Sequence, residues 1–291
     1  MRRLIKEISS YGKTNNKEIE IIVNNGTDLL VAQNGQIRTD IDLMNHIDGL
    51  LLESYYYGWE MSTDAETPLD ARTQLIEPIA LLRAANKAIL SIDYCQDIAN
   101  INHSYTQNRS QRIVSFAANN HQLDGIPTYP PVPYDVNDDH IAFLQQAKNM
   151  LVLLNQQQYH DKESYLNALR NTDYDLLIID AYFNDAQLTT GDVRSLQIKK
   201  NGGTRLVFAY MSIGEAEDYR TYWQKAWSKK PPVWLGLQNP DWPGNYKVQY
   251  WNKQWKNILF GSSHSYLDGI IGAGFNGVFL DTIDAYQYFL E

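Results

Sequence analysis

The chain has 291 residues, enough for one large domain, and 44% of them are hydrophobic, enough for a sizeable core. Its net charge of −9 excludes the basic footprint that a nucleic-acid partner requires, and suits either a cationic substrate or plain solubility. No run of 18 apolar residues is present, which excludes a helical membrane span.

In chain order, Leu4, Ile5, Ile8 and Tyr11 repeat at helical spacing and predict a helix over 1–12. Short apolar runs follow at 29–32, 49–52, 88–92 and 113–116, with a helical pattern over 73–85 between the second and third. A proline-rich stretch at 125–133 separates these from a second set of runs at 150–154, 176–179, 206–209 and 278–280. Tyr165, Leu166 and Leu169 mark a helix before 176–179, and Gly202-Gly203 reads as the turn that ends the next one. Continuous apolar runs suit parallel strands buried on both faces, and eight of them alternating with helices favour a closed (β/α)8 TIM barrel, the fold expected here. The rival is an open doubly wound sheet, but neither GxGxxG nor a P-loop supports a nucleotide site. A helix opens the chain and its last strand ends ten residues before the terminus. The first helix is therefore expected to cover the last strand, the arrangement of a circularly permuted barrel.

Cys95 is the single cysteine, so there is no internal disulfide and no cysteine-based metal cluster. The six histidines show no HxH or HExxH spacing. No metal and no cofactor are expected. Four strands end in an acid: Glu53, Asp93, Asp180 and Asp281. The carboxyl ends of barrel strands carry the active site, although solvated loop starts give the same pattern. If the last strand closes on the first, Asp281 and Glu53 stand two strands apart, close enough for the roughly 5 Å separation of a retaining glycosidase. They are the expected catalytic pair, with Asp93 and Asp180 as substrate anchors. The segment 210–219 has two readings. Ser212 and Glu215 form a capping box at a helix start, or the segment is a polar loop from which Tyr210 or Glu215 contacts sugar. The aromatic loop at 239–246 either walls the cleft or packs on the barrel edge.

The runs YMSIGEAEDYRTYW (210–223), NPDWPGNYKVQYW (239–251) and GFNGVFLDTIDAYQYF (274–289) closely resemble the endo-α-1,4-polygalactosaminidase family of glycoside hydrolases. KNMLVLLN (148–155), NTDYDLLIIDAYFN (171–184) and AQNG (32–35) extend the likeness over most of the chain. The resemblance implies a secreted or cell-envelope (β/α)8 hydrolase of α-1,4-linked galactosamine polymers, with Asp281 and Glu53 at the family's catalytic positions. No signal peptide is visible at Met1–Glu7. Asn34 of AQNG and Tyr182 of DAYFN join the expected substrate contacts. The order departs from the family's: 149–291 resembles its N-terminal half and 1–130 its C-terminal half, joined by 131–148, all within one domain. Two other readings stay open. One is a chitinase-like hydrolase of N-acetylated polymers, suggested by Asp281 and Asp284; the other is a non-catalytic sugar-binding barrel.

Overall fold

The computed structural model describes residues 1–30 and 40–290. Eight parallel strands form its main sheet: β1 (Glu20–Asn24), β2 (Gly49–Glu53), β3 (Ala88–Tyr94), β4 (Val114–Ala118), β5 (Met150–Leu153), β6 (Leu176–Ile179), β7 (Leu206–Ser212) and β8 (Gly277–Asp281). They lie in the order β4-β3-β2-β1-β8-β7-β6-β5. β4 and β5 come together at the two ends of this order, which makes a nearly closed (β/α)8 barrel. Valine, isoleucine and leucine fill the strands, and β5 and β6 are buried at every position. This is how strands enclosed by an outer layer of helices must read.

β1 joins the two halves of the barrel. It pairs with β8 through Ile21–Val278 and Val23–Leu280, and with β2 through Ile22–Gly49 and Asn24–Leu51. The first strand is therefore Glu20–Asn24, and the described part of the apolar run at 29–32 is not a strand. Ile21, Ile22 and Val23 supply β-branched side chains that suit a strand, whereas Leu29 and Leu30 are buried within a 3-10 turn at Thr27–Leu30. The positions 31–32 lie outside the described residues.

The helix that opens the chain, α1 (Arg2–Asn15), buries Leu4, Ile5 and Ile8 and packs between α2 (Ile41–His46) and the helix at Tyr266–Ala273. The pattern at 73–85 is split into Leu69–Thr73 and Ile76–Ala84. Gly202-Gly203 does not end a helix. It turns the chain between Ile198 and Thr204, which form an antiparallel bridge, and Gly202 takes the φ of +94° that such a turn assigns to glycine.

The segment that carries the chain from β4 to β5 closes the end of the barrel where the strands start. Its Leu144 backbone N–H donates to both carboxylate oxygens of Glu20, the first residue of β1. Its Asn137 accepts from Lys199 Nζ, which also holds Asp175, just before β6, at 2.9 Å. Both side chains of that ion pair are wholly buried.

Candidate active site

At the opposite end, the last residue of each of three adjacent strands turns toward the mouth: Asp281 of β8, Asn24 of β1 and Glu53 of β2. Asn24 Nδ2 donates to Asp281 Oδ1 at 2.8 Å and to Glu53 Oε2 at 3.2 Å. The two oxygens are thus no more than 6.0 Å apart, the sum of those distances. With the N–H bonds of a planar amide splayed by about 120°, their separation is roughly 5 Å. The amide orientation follows from electrostatics, because a half-turn would aim its oxygen at two carboxylates. Asn24 Oδ1 is buried and accepts no protein hydrogen bond, which adds a third acceptor beside the pair.

Two phenols complete the arrangement. Tyr210 of β7 donates to Asp281 Oδ2 at 3.0 Å, and Tyr94, the last residue of β3, donates to Glu53 Oε1. Burial, with help from the adjoining carboxylates, pushes both phenols well above their ordinary pKa, so both remain donors. Among the described residues, no lysine or arginine forms an ion pair with Asp281 or Glu53. Burial, followed by the charge of Glu53, raises Asp281 to about 6, against the donations from Asn24 and Tyr210. His121, in the loop after β4, stacks on Tyr94 with ring centroids 3.6 Å apart. Burial lowers its pKa, and neither ring nitrogen has a protein partner.

The other expected contacts are placed differently. Asp93 does not reach the mouth. Side chains alternate along a strand, so with Tyr94 facing the site its neighbour points outward to the helical layer. There Asp93 is fully buried and accepts from Tyr56 and Tyr57 N–H, from Ser104 and from Asn108. These bonds anchor the loop after β2 to the helix at Ile98–Ser110. Asp180 is also committed to protein partners. One oxygen accepts from Tyr182 N–H at 2.8 Å and the other from Arg220, which in turn binds Glu217 at 2.6 Å. The Arg220 guanidinium lies over the rings of Tyr210, Tyr219 and Tyr266, so this buried cluster backs the phenol that touches Asp281.

Glu215 starts no helix. It opens a short strand, Glu215–Glu217, that pairs with Asn245–Val248, and its carboxylate is held by Lys247 and Asn239. The Ser212 hydroxyl donates to the Glu215 carbonyl, so no capping box forms. The 239–246 loop is the turn of that small sheet; Tyr246 packs on Trp223 with centroids 5.0 Å apart. Tyr182 is half-buried against Tyr266. Asp284 is exposed and makes no bond to Asp281. Asn34 lies outside the described residues. The structure thus joins Asp281, Glu53 and Tyr210, and adds Asn24, Tyr94 and His121. Asn24 was legible as a polar residue ending the β-branched run Ile21-Ile22-Val23, once that run is read as a strand.

Among the described residues, no helix is long and apolar enough to cross a membrane, and no three His, Cys, Asp or Glu side chains are grouped to hold a metal ion. Residues 148–290, just under half of the chain, match the model of glycoside-hydrolase family GH114. The matched stretch includes β5–β8 and Asp281 and excludes Glu53. The chain is 41% identical over 133 residues to an uncharacterized protein of Methanocaldococcus jannaschii, covering 46% of this chain and 37% of that protein. It is 37% identical over 137 residues to an uncharacterized protein of Thermotoga maritima, covering 44% and 41%. A third uncharacterized protein, from Deinococcus radiodurans, is 39% identical over 125 residues, 43% and 38% of the two chains. The chain spans less than half the length of these curated relatives.

Proposed function

We propose that the protein is a glycoside hydrolase that cuts α-1,4-linked, galactosamine-containing polysaccharide internally, with two carboxylates and retention of anomeric configuration. The observation that carries this reading is the Asn24 bridge, which holds Asp281 and Glu53 at the separation of a retaining pair, short of the 6.5–9.5 Å range that admits an inverting water. The family match over 148–290 supports the hydrolase class. A mouth of two carboxylates and an amide oxygen, with no cation paired to either acid, supports an amino sugar, whose ammonium group would be the missing counter-charge.

Asp281 attacks the anomeric carbon while Glu53 protonates the leaving oxygen; Glu53 then removes a proton from the water that releases the glycosyl intermediate. Tyr210 and Asn24 stabilise the Asp281 anion that attack requires. Other readings fit less well. The chitinase-like alternative loses its motif, because Asp284 points to solvent. An extracellular or cell-envelope setting goes with a polymeric substrate. The exchanged order of the two halves, inferred from the resemblance, belongs to the same reading.

The test is mass spectrometry of products from galactosamine polymer, with proton NMR of the first-formed anomer. Internal fragments of retained configuration are expected. Absence of cleavage by the wild-type protein would reject the substrate, and an inverted product would reject the mechanism. Azide rescue assigns the roles. Glu53→Ala should give a glycosyl azide of retained configuration and Asp281→Ala one of inverted configuration; the converse exchanges them.

A further inference from the structure

Each of the three site residues is followed by a non-glycine residue in the left-handed region: Asn25 at φ 55° after Asn24, Ser54 at φ 56° after Glu53, and Thr282 at φ 58° after Asp281. Asparagine visits this region readily, but a β-branched threonine is a genuine outlier there. Such a conformation persists only where the surroundings over-determine it, and it concentrates at functional sites.

The surroundings of Thr282 do over-determine it. Its hydroxyl accepts from Gly214 N–H at 2.8 Å, lies 2.9 Å from the Ser212 hydroxyl, and donates to the carbonyl of Asp281 at 2.7 Å. Ile213 N–H donates to that same carbonyl at 3.1 Å. Gly214 leaves no room for adjustment, since a Cβ there would stand 2.1 Å from the Thr282 carbonyl oxygen. The end of β8 is therefore clamped from β7 and the turn after it, on the backbone of Asp281 itself.

We infer that Thr282 is a positioning residue: its hydroxyl holds the backbone in the left-handed turn that aims Asp281 at Asn24 and Glu53. The inference rests on the proposed role of Asp281. It explains why threonine occupies a position where glycine would be unstrained: glycine would free the turn and lose the clamp together.

The variant that tests this is Thr282→Gly, because glycine adopts φ 58° freely and the fold should survive. Two readouts separate this inference from the proposed function. On galactosamine polymer, kcat should fall at least tenfold with KM within about twofold of wild type. By carboxyl carbon-13 NMR, which needs no substrate, the Asp281 titration should move from about 6 toward the ordinary carboxylate range as the side chain turns further toward solvent. Thr282→Ser, which keeps the hydroxyl, should restore both. Wild-type kcat and an unmoved Asp281 titration in Thr282→Gly would overturn the inference, as would a tenfold loss of kcat in Thr282→Ser. If the wild type leaves the polymer intact, the substrate assignment fails while the NMR comparison still decides the role of Thr282.

Discussion

Tyr210 donates its phenol hydroxyl to Asp281 Oδ2 at 3.0 Å, and this bond stabilises the ionised form of a carboxylate that burial has raised to about 6. The proposed mechanism needs Asp281 as the anion, so activity should fall as pH drops through about 6. Tyr210→Phe removes a donor that lowers the pKa, so the acid limb of the kcat/KM profile should move to higher pH. A limb that stays in place would show that the phenol does not set the charge of Asp281.

The same burial costs stability. Asp281 has its pKa raised in the folded state, from 3.8 to about 6, so the contribution it makes in acid is lost as pH rises through that interval. At pH 7 the folded protein carries a charge that it disfavours. Asp281→Asn should therefore abolish hydrolysis and raise stability by about 1–2 kcal/mol at pH 7, after allowance for partial exposure and for hydrogen bonds the amide makes less well. Urea denaturation at pH 7 and at pH 4 checks the sign, since the gain should shrink in acid. A destabilised variant at pH 7 would show that the bonds from Asn24 and Tyr210 outweigh the burial of charge.

Asn24 bridges the two carboxyl groups, and its loss should be felt in catalysis more than in folding. Asn24→Ala removes both donated bonds, and kcat should fall by about 10- to 100-fold, the scale of one misplaced reacting group. Asn24→Asp would set a third carboxylate between the pair, and a still larger loss is expected. Steady-state kinetics of the two variants, with thermal melting as the control, gives the ranking; equal activity in Asn24→Ala and wild type would remove the bridge from the mechanism.

At the far end of the barrel, Lys199→Met would leave Asp175 buried without its ion, and a loss of about 3–5 kcal/mol is expected. Activity per folded molecule should not change, because the pair lies at the end opposite the carboxylates. Adding Asp175→Leu should recover a large part of the loss, as it removes the stranded charge. A urea series on the two variants reads this directly, and a neutral Lys199→Met would mean that solvent reaches Asp175.

Apolar runs located seven of the eight barrel strands, because a strand enclosed on both faces has a composition that is hard to mistake. β1 was missed: Glu20 and Asn24 bracket only three apolar residues, and Leu29-Leu30 nearby is a stronger run that belongs to a turn. Missing β1 hid Asn24. The strand-end acids were legible as a class but not one by one, since a shift of a single residue reverses which face a side chain takes. Asp93 illustrates this, with Tyr94 at the mouth in its place. Asp180 shows a second limit. Its partner Arg220 lies 40 residues away in a loop, and no local pattern announces that pairing.

Asn24 and Asp281 meet across a sequence separation of 257 residues. Closing so long a loop carries a large entropic penalty that is recovered only when β1 and β8 dock. Opening the seam between β1 and β8 alone would therefore part the two acids while every other strand pairing stays in place.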